Sequence, residues 1–325
     1  MTETAVDNRP ILLVDAFNVF LRSYAAYPAM SSHGYQIGGV VGFLKTLHRI
    51  INEVHPKAIY VAWESGGSAR RRSLYSDYKA NRKPEKLNRF YEDDIPDTEE
   101  NKAQQIQILA KMLKLLPVCQ VYVPNCEGDD VIAYLAKYKF SSDKKIIVSS
   151  DKDFYQLLDD LTDIYNLHKK IIVKKQDVTN EYRITPQNFA LAKAFCGDNS
   201  DNIPGIDGLG FKTLAKRIPL FGSENDLMLD EVIDYCRVNE KQSKVYSKIL
   251  NEVDLIKRNW QLVYLDSSMI SASQISKIEY IIDNYKHSIN KVEFMKALIE
   301  EGVTTFDVDG LFYAFLTVAY KHNKT

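Results

Sequence analysis

Short apolar runs alternate with amphipathic stretches through the first half of the chain. Residues 11–14, 58–63, 118–123 and 145–149 are compact and mostly aliphatic. Runs this short, bounded by polar residues, predict strands buried on both faces. Between them, residues 40–54, 101–116 and 131–139 repeat their apolar positions at helical spacing, which predicts amphipathic helices. Strands alternating with helices predict an α/β fold with a mainly parallel sheet flanked by helices. In such a sheet, ligands sit beyond the C-terminal ends of the strands. Asp15, Glu64, Glu127 and Asp151 follow the four runs in turn, so the pattern puts an acid at each of those ends.

Beyond about residue 180 the strand signals fade. Residues 181–325 read as mostly helical, with breaks near 197–210 and 219–225. The expected organisation is a core over 1–180 and a helical region over 181–325, packed closely because no Gly/Ser linker separates them. Residues 82–104 differ from both, with two prolines, few apolar positions and many charges. They read either as a surface loop or as a segment that orders on contact with a substrate.

Composition narrows the class. The chain has 325 residues, 45% of them hydrophobic and 26% charged, enough for a core and a soluble surface. The apolar run at 312–320 is too short to cross a bilayer, and residues 1–10 lack a signal-peptide pattern, so a cytoplasmic protein with no membrane partner is expected. The four cysteines, Cys119, Cys126, Cys196 and Cys236, form no CxxC pair and read as free thiols. The histidines are scattered, His48 and His168 among them, which disfavours zinc.

The chemistry lies in the acids. Glu127 and Asp130 open a helix three residues apart, and Asp198 and Asp201 share the same spacing. Asp151 and Asp153 follow the fourth run, as Asp15 ends the first. Each group alone reads as a helix cap or a turn. Together, at adjacent strand ends, they would repel one another without cations between them. Oxygen donors without Cys or His select hard ions, Mg2+ or Mn2+. Two such ions about 4 Å apart suit phosphodiester hydrolysis.

Downstream, Gly208-x-Gly210-x-Lys212 leads into a helix and reads as a plain turn or as backbone N–H groups offered to a phosphate. Arg70, Arg71 and Arg72, followed by Lys79, Arg82 and Lys83 with Tyr75 and Tyr78 interleaved, read as a solvated basic face or a nucleic-acid grip. The net charge of −1 conceals a basic remainder: with the nine candidate metal acids set aside, the 43 acids fall to 34 against 42 bases.

These motifs resemble the flap endonuclease and 5′→3′ exonuclease family, in particular the 5′-nuclease domain of bacterial DNA polymerase I and stand-alone phage 5′-nucleases. The matching segments are Leu-Val-Asp15-x-x-Asn18, Tyr78-Lys79-Ala80-Asn81-Arg82, Glu127-Gly-Asp129-Asp130, Ser150-Asp151-Lys-Asp153 and Gly197-Asp198-Asn-Ser-Asp201-Asn-Ile-Pro-Gly-Ile-x-Gly208-x-Gly210, in family order. The resemblance implies a PIN-like nuclease core, a helical arch at about 80–105 and a helix–three-turn–helix DNA clamp at about 195–220. It implies that Asp15, Glu127, Asp129 and Asp130 serve one ion, and Asp151, Asp153, Asp198 and Asp201 a second. Lys79 and Arg82 would act on the scissile phosphate, with Asp15, Asp129, Asp130 and Asp153 as the catalytic acids. Arg70, Arg71, Arg72, Tyr78, Lys83, Gly208, Gly210, Lys212 and Thr213 would contact DNA, and a potassium ion (K+) would sit at the glycine turn.

The implied substrate is DNA with a free 5′ end at a flap, nick or gap, with RNA–DNA hybrids as a second substrate. The expected form is a monomer working beside replication proteins. Two departures stand out. Glu64 occupies a position where the family usually has Asp, and Glu92, Asp93, Asp94, Asp97, Glu99 and Glu100 make the second half of the arch acidic. Two alternatives stay open: a PIN-type ribonuclease acting on single-stranded RNA, against which the glycine turn argues, and a DNA-structure-binding protein with weak catalysis, for which Glu64 leaves room.

Overall fold

The strands β1 (Ile11–Asp15), β2 (Ala58–Trp63), β3 (Cys119–Tyr122), β4 (Lys145–Val148), β5 (Thr162–Asn166) and β6 (Ile171–Val173) form one sheet in the order β3-β2-β1-β4-β5-β6. The structure is a computed structural model and describes residues 7–64, 66–81 and 99–319. Every neighbouring pair is parallel except β5 and β6. The period-two alternation of a strand sorts its side chains between two faces. Ile11, Leu13, Val121, Ile147 and Ile164 enter one apolar cluster, while Leu12, Val14, Val61, Ile146 and Val148 enter the other.

The second face is covered first by α1 (Ala16–Ala26) and α2 (Gly38–Val54). These two helices touch closely because Gly39 and Gly42 face α1. A Cβ at Gly39 would lie 2.5 Å from the Phe20 ring, and one at Gly42 2.8 Å from Cβ of Ser23. The N-terminus of α2 has no side-chain cap of its own. Gln105, on α4 (Glu99–Leu113), supplies one: its Oε1 accepts from Gly39 N–H at 2.9 Å and from Val40 N–H at 3.3 Å. That satisfies two otherwise orphaned donors and fixes α4 against the core.

The first face carries α5 (Gly128–Tyr134), α7 (Pro186–Cys196), α8 (Phe211–Arg217), α9 (Leu229–Asn239), α10 (Lys244–Asn251), α11 (Val253–Val263) and α12 (Ala272–Asp283). Two smaller helices, α3 (Ala69–Leu74) and α6 (Lys175–Tyr182), complete that side's approach to the sheet. The last two, α13 (Lys291–Glu300) and α14 (Val308–Ala319), cross back to pack Phe294, Leu298, Leu311 and Phe315 into the second cluster. The helices beyond residue 180 therefore cover both faces of the sheet. Each fully buried Phe or Leu contributes about 1.5–3 kcal/mol.

Element boundaries moved by a few residues from the sequence pattern. The run at 118–123 forms strand only over Cys119–Tyr122, and the helix expected at 101–116 runs over Glu99–Leu113. The helix at 131–139 is α5 followed by a π-helical turn, Leu135–Lys139. β5 and β6 had not been anticipated, because Asp163 interrupts one and the other is three residues long. Most of the expected arch, 82–98, with Arg82, Lys83, Glu92, Asp93, Asp94 and Asp97, lies outside the described residues. Among the described residues no helix is long and apolar enough to cross a membrane.

Candidate active site

Parallel register aligns the strand ends. Asp15 pairs with Ala62, and Val14 with Val148, so Glu64 and Asp151 follow on the same edge as Asp15. Asp15 also caps α1, accepting from Asn18 N–H at 3.1 Å, and it accepts from Ser149 Oγ at 3.0 Å. Asn18 in turn accepts from Ser150 N–H at 3.0 Å, tying the β1 and β4 ends together. Burial raises the Asp15 carboxyl to about 6, and Asp151 and Glu64 push in the same direction, against the hydrogen bonds from Asn18 and Ser149. Asp151 faces solvent on one side, yet the protein crowded around it raises its pKa, with Asp201 and Asp198 adding to the shift and Lys193 opposing it. The edge holds more negative charge than its surroundings neutralise.

Asp198 and Asp201 sit on a loop closed by two glycines. Gly197 has φ +74°, and a Cβ there would come within 2.3 Å of Gly205 N; a Cβ at Gly205 would come within 2.1 Å of Cys196 O. Only glycine permits that back-to-back approach. Asp198 and Ile203 then exchange backbone hydrogen bonds of 2.8 and 2.7 Å, which turns both acids toward the sheet edge. Asn259, fully buried on α11, braces the loop by donating to Pro204 O at 2.7 Å and Ala194 O at 3.0 Å.

Asp153 completes this group from a 3₁₀ turn over Lys152–Leu157, which Asp151 caps by accepting from Asp153 N–H at 2.9 Å. One carboxylate oxygen each from Asp153, Asp198 and Asp201 lies within 4.8 Å of the others. Three hard oxygen donors at that separation fit a divalent hard cation. Lys193 on α7 reaches the same place, pairing with Asp153 Oδ1 and with Asp198 Oδ2 at 2.6 Å. Burial alone would raise Asp198, but Lys193 and the hydrogen bonds from Ser200 hold it at about 2.

Glu127, Asp129 and Asp130 open α5 and surround an arginine. Arg71, 1% exposed, donates from Nη1 to Glu127 Oε2 at 2.8 Å and to Asp130 Oδ2 at 2.9 Å, and from Nη2 to Asp130 Oδ1 at 2.7 Å. Its Nε donates to Leu262 O at 2.9 Å, and Asp129 stands 3.5 Å away. The surface DNA contact expected of Arg71 is not what the structure places: the guanidinium is internal, bidentate and fully engaged. Glu127 is held at about 2, since Arg71, Lys79 and Ser68 N–H outweigh its burial. Burial raises Asp129 and Asp130 despite Arg71. Asp129 keeps the larger opening, with its side chain 20% exposed against 4% for Asp130.

Tyr78 and Lys79 bridge the two groups. The Tyr78 hydroxyl lies 3.1 Å from Glu127 Oε2 and 3.3 Å from Asp201 Oδ2. At 6% exposure its ring is packed rather than offered to a base. Lys79 adopts φ +59°, uncommon for a side chain of its size, and donates from Nζ to Glu127 Oε2 at 2.9 Å. Arg70 is half-buried with Nη1 on Gln261 O at 3.2 Å, while Arg72 is exposed.

Gly208 has φ +75°, which calls for glycine, whereas Gly210 has an ordinary backbone; a Cβ at either would meet nothing within 4 Å. Among the described residues nothing requires glycine at 210. Lys212 is exposed on α8 and Thr213 half-buried. The sequence reading missed Lys193, Asn259 and Gln156, which joins Asp153 O to Val263 O by hydrogen bonds of 2.8 and 2.9 Å. The signal for Lys193 was there: it is the lone charge in the apolar helix Phe189-Ala-Leu-Ala-Lys193-Ala-Phe195.

Residues 10–183 match the family model described as 5′-3′ exonuclease, N-terminal resolvase-like domain. The 5′-3′ exonuclease of Aquifex aeolicus (strain VF5) is 30% identical over 223 residues, 68% of this chain and 72% of that one. The thermostable DNA polymerase I of Thermus aquaticus is 28% identical over 297 residues, 90% of this chain; the chain spans about a third of that polymerase, 33%. Among solved structures, the bacteriophage T5 D15 flap endonuclease, in a pseudo-enzyme–product complex with DNA and metal ions, superposes with a TM-score of 0.61 at 20% identity, covering 96% of this chain and all of that one. At that identity the likeness shows a shared fold.

Proposed function

Because the chain belongs to the 5′-3′ exonuclease family, we propose that it is a structure-specific 5′-nuclease, acting as 5′→3′ exonuclease and flap endonuclease on DNA, with RNA in RNA–DNA hybrids as a second substrate. The observation that carries the reading is the convergence of Asp153, Asp198 and Asp201 within 4.8 Å at the ligand-binding edge of a parallel sheet.

Asp153, Asp198 and Asp201, with Asp151 beside them, would hold one divalent ion, Mg2+ or Mn2+. Asp15 and Asp129, with Glu64, would hold the other, because Glu127 and Asp130 are engaged by Arg71. When bound, such ions supply the positive charge that activates water and stabilises the leaving oxygen of a phosphodiester. The chain's own residues do the rest. Lys79, tethered to Glu127, supplies a cation to the scissile phosphate at the junction of the two groups. Burial holds the Asp15 and Asp129 carboxyls above the ordinary range, and a bound cation would favour their ionised forms. The open flanks of Gly208 and Gly210, with Lys212 exposed beside them, suit approach of a duplex phosphate to the backbone. In this division the acids come from both parts, Asp15, Asp129, Asp151 and Asp153 from the core and Asp198 and Asp201 from the region beyond residue 180, which also grips the duplex.

The test is cleavage of a 5′-labelled flap duplex beside a labelled single-stranded RNA, in magnesium and again in EDTA. Metal-dependent cutting at the flap junction with the RNA intact supports the reading. Flap binding without cutting in either Mg2+ or Mn2+ would replace it with a DNA-structure-binding function.

A further inference from the structure

Two adjacent residues of the acid loop, Asp201 and Asn202, contact alternate positions of the segment that carries Lys79. Lys79 N–H donates to Asp201 O at 2.9 Å. Asn202 Nδ2 donates to Asp77 O at 2.8 Å, and Asn202 Oδ1 accepts from Asn81 Nδ2 at 2.8 Å. Residues 77, 79 and 81 are thus each held by residue 201 or 202, with Lys79 Nζ also on Glu127 and Tyr78 adding its hydroxyl to Asp201 Oδ2. Both sides of this clamp use the left-handed region, Asn202 at φ +58° and Lys79 at φ +59°. Asn tolerates that region well, because its short amide bonds locally; Lys enters it only when its surroundings hold it there. Lys79 is held there by the bond its own N–H donates to Asp201 O, by its Nζ on Glu127, and by the Asn202 amide bracketing it two residues to either side.

We propose that Asn202 is a positioning residue: its side-chain amide clamps the 77–81 segment so that Lys79 stays over the carboxylates, and it makes the acid loop and the Lys79 segment one mechanical unit. The amide does this because it is donor and acceptor at once, one arm for each flank of Lys79. No residue with a single hydrogen-bonding function reproduces both arms. The proposal rests on the nuclease reading only for what Lys79 does to the substrate, not for the clamp itself.

Two measurements test it. Asn202→Gly keeps the positive φ while removing both arms, so the loop backbone is preserved. In metal-free protein, acetylation of Lys79 followed by mass spectrometry should rise severalfold in Asn202→Gly relative to wild type, with the exposed lysine Lys212 as internal reference. In single-turnover cleavage of a flap duplex, Asn202→Gly should lose about tenfold or more in rate with flap affinity in calcium little changed, as expected when a reacting group is displaced by a fraction of an ångström. The loss should vanish in a Lys79→Ala background, because a positioning residue has nothing left to position. Unchanged Lys79 acetylation, or a rate loss that multiplies with Lys79→Ala, would overturn the proposal. Should wild type not cleave at all, the nuclease reading fails while the acetylation result still decides the clamp.

Discussion

The two carboxylate groups use the same residue types to opposite ends. Around Glu127 and Asp130 the counter-charge is Arg71, buried, planar and bonded through all three of its nitrogens. Around Asp153, Asp198 and Asp201 it is Lys193, one ammonium on a flexible stem. A guanidinium cannot lose its proton and fits carboxylates in one fixed geometry, whereas an ammonium is a movable point charge. The first group is therefore a scaffold that fixes Glu127, and through it Tyr78 and Lys79. The second is a group of acids that could hold a metal ion, with the Lys193 ammonium lying among them. The comparison teaches that clustered acids are read correctly only when the partner cation is known.

The largest effect should come from the second group. Asp153→Asn should lower flap cleavage by about a thousandfold, in line with several kcal/mol of charge stabilisation, while flap binding in calcium holds. Cleavage at the wild-type rate would remove the second cation site from the account. Next comes the scaffold. Arg71→Met leaves Glu127 and Asp130 buried without their partner and should lower unfolding free energy by about 3–5 kcal/mol in urea titration. Arg71→Lys should recover little of it, since one ammonium does not span both carboxylates. Full recovery by lysine would erase the contrast between the groups.

A smaller effect is expected at Lys193. Lys193→Met removes the occupant that competes with a cation, so Mn2+ should bind about tenfold more tightly, the scale of one nearby charge at partial burial. Calorimetric titration measures this; unchanged affinity would mean that the lysine does not compete. The smallest is a pH effect. Asp15 is raised from 3.8 to about 6 in the folded protein, so folding binds a proton more tightly than the unfolded chain does. Its contribution to stability is present below about pH 4 and is lost as pH rises through about 6. In EDTA the melting temperature of wild type should therefore fall across that window more than that of Asp15→Asn, and magnesium should reverse the loss. Parallel curves for the two proteins would deny the shift at Asp15.

Much of this was legible in the sequence, for a physical reason. Acids that follow buried strands of a parallel sheet have nowhere to go but the C-terminal edge, so Asp15, Glu64, Glu127 and Asp151 could be placed from pattern alone. The sequence pattern assigned no role to Gly197 and Gly205; their close approach is a finding of the structure. What pattern could not supply was pairing across distance. Nothing in Arg70-Arg71-Arg72 says that the middle residue turns inward while Arg72 faces solvent; the cap at Ser68, accepting from Arg71 N–H, sets the rotation of that short helix. Tyr78 likewise could be read as a DNA contact or as a packing ring, and its hydroxyl between Glu127 and Asp201 places it inside. Lys193 meets Asp153 from 40 residues away, and Asn259 braces the acid loop from more than 50 residues further along the chain, pairings that no local spacing announces.

The contrast between scaffold and cation site is tested most directly by anomalous diffraction from crystals of the protein soaked in Mn2+. The account predicts a manganese peak among Asp153, Asp198 and Asp201 with Lys193 displaced, and Arg71 unmoved between Glu127 and Asp130. A peak seated between Glu127 and Asp130 with Arg71 driven out, or no peak at the Asp153 group, would contradict it.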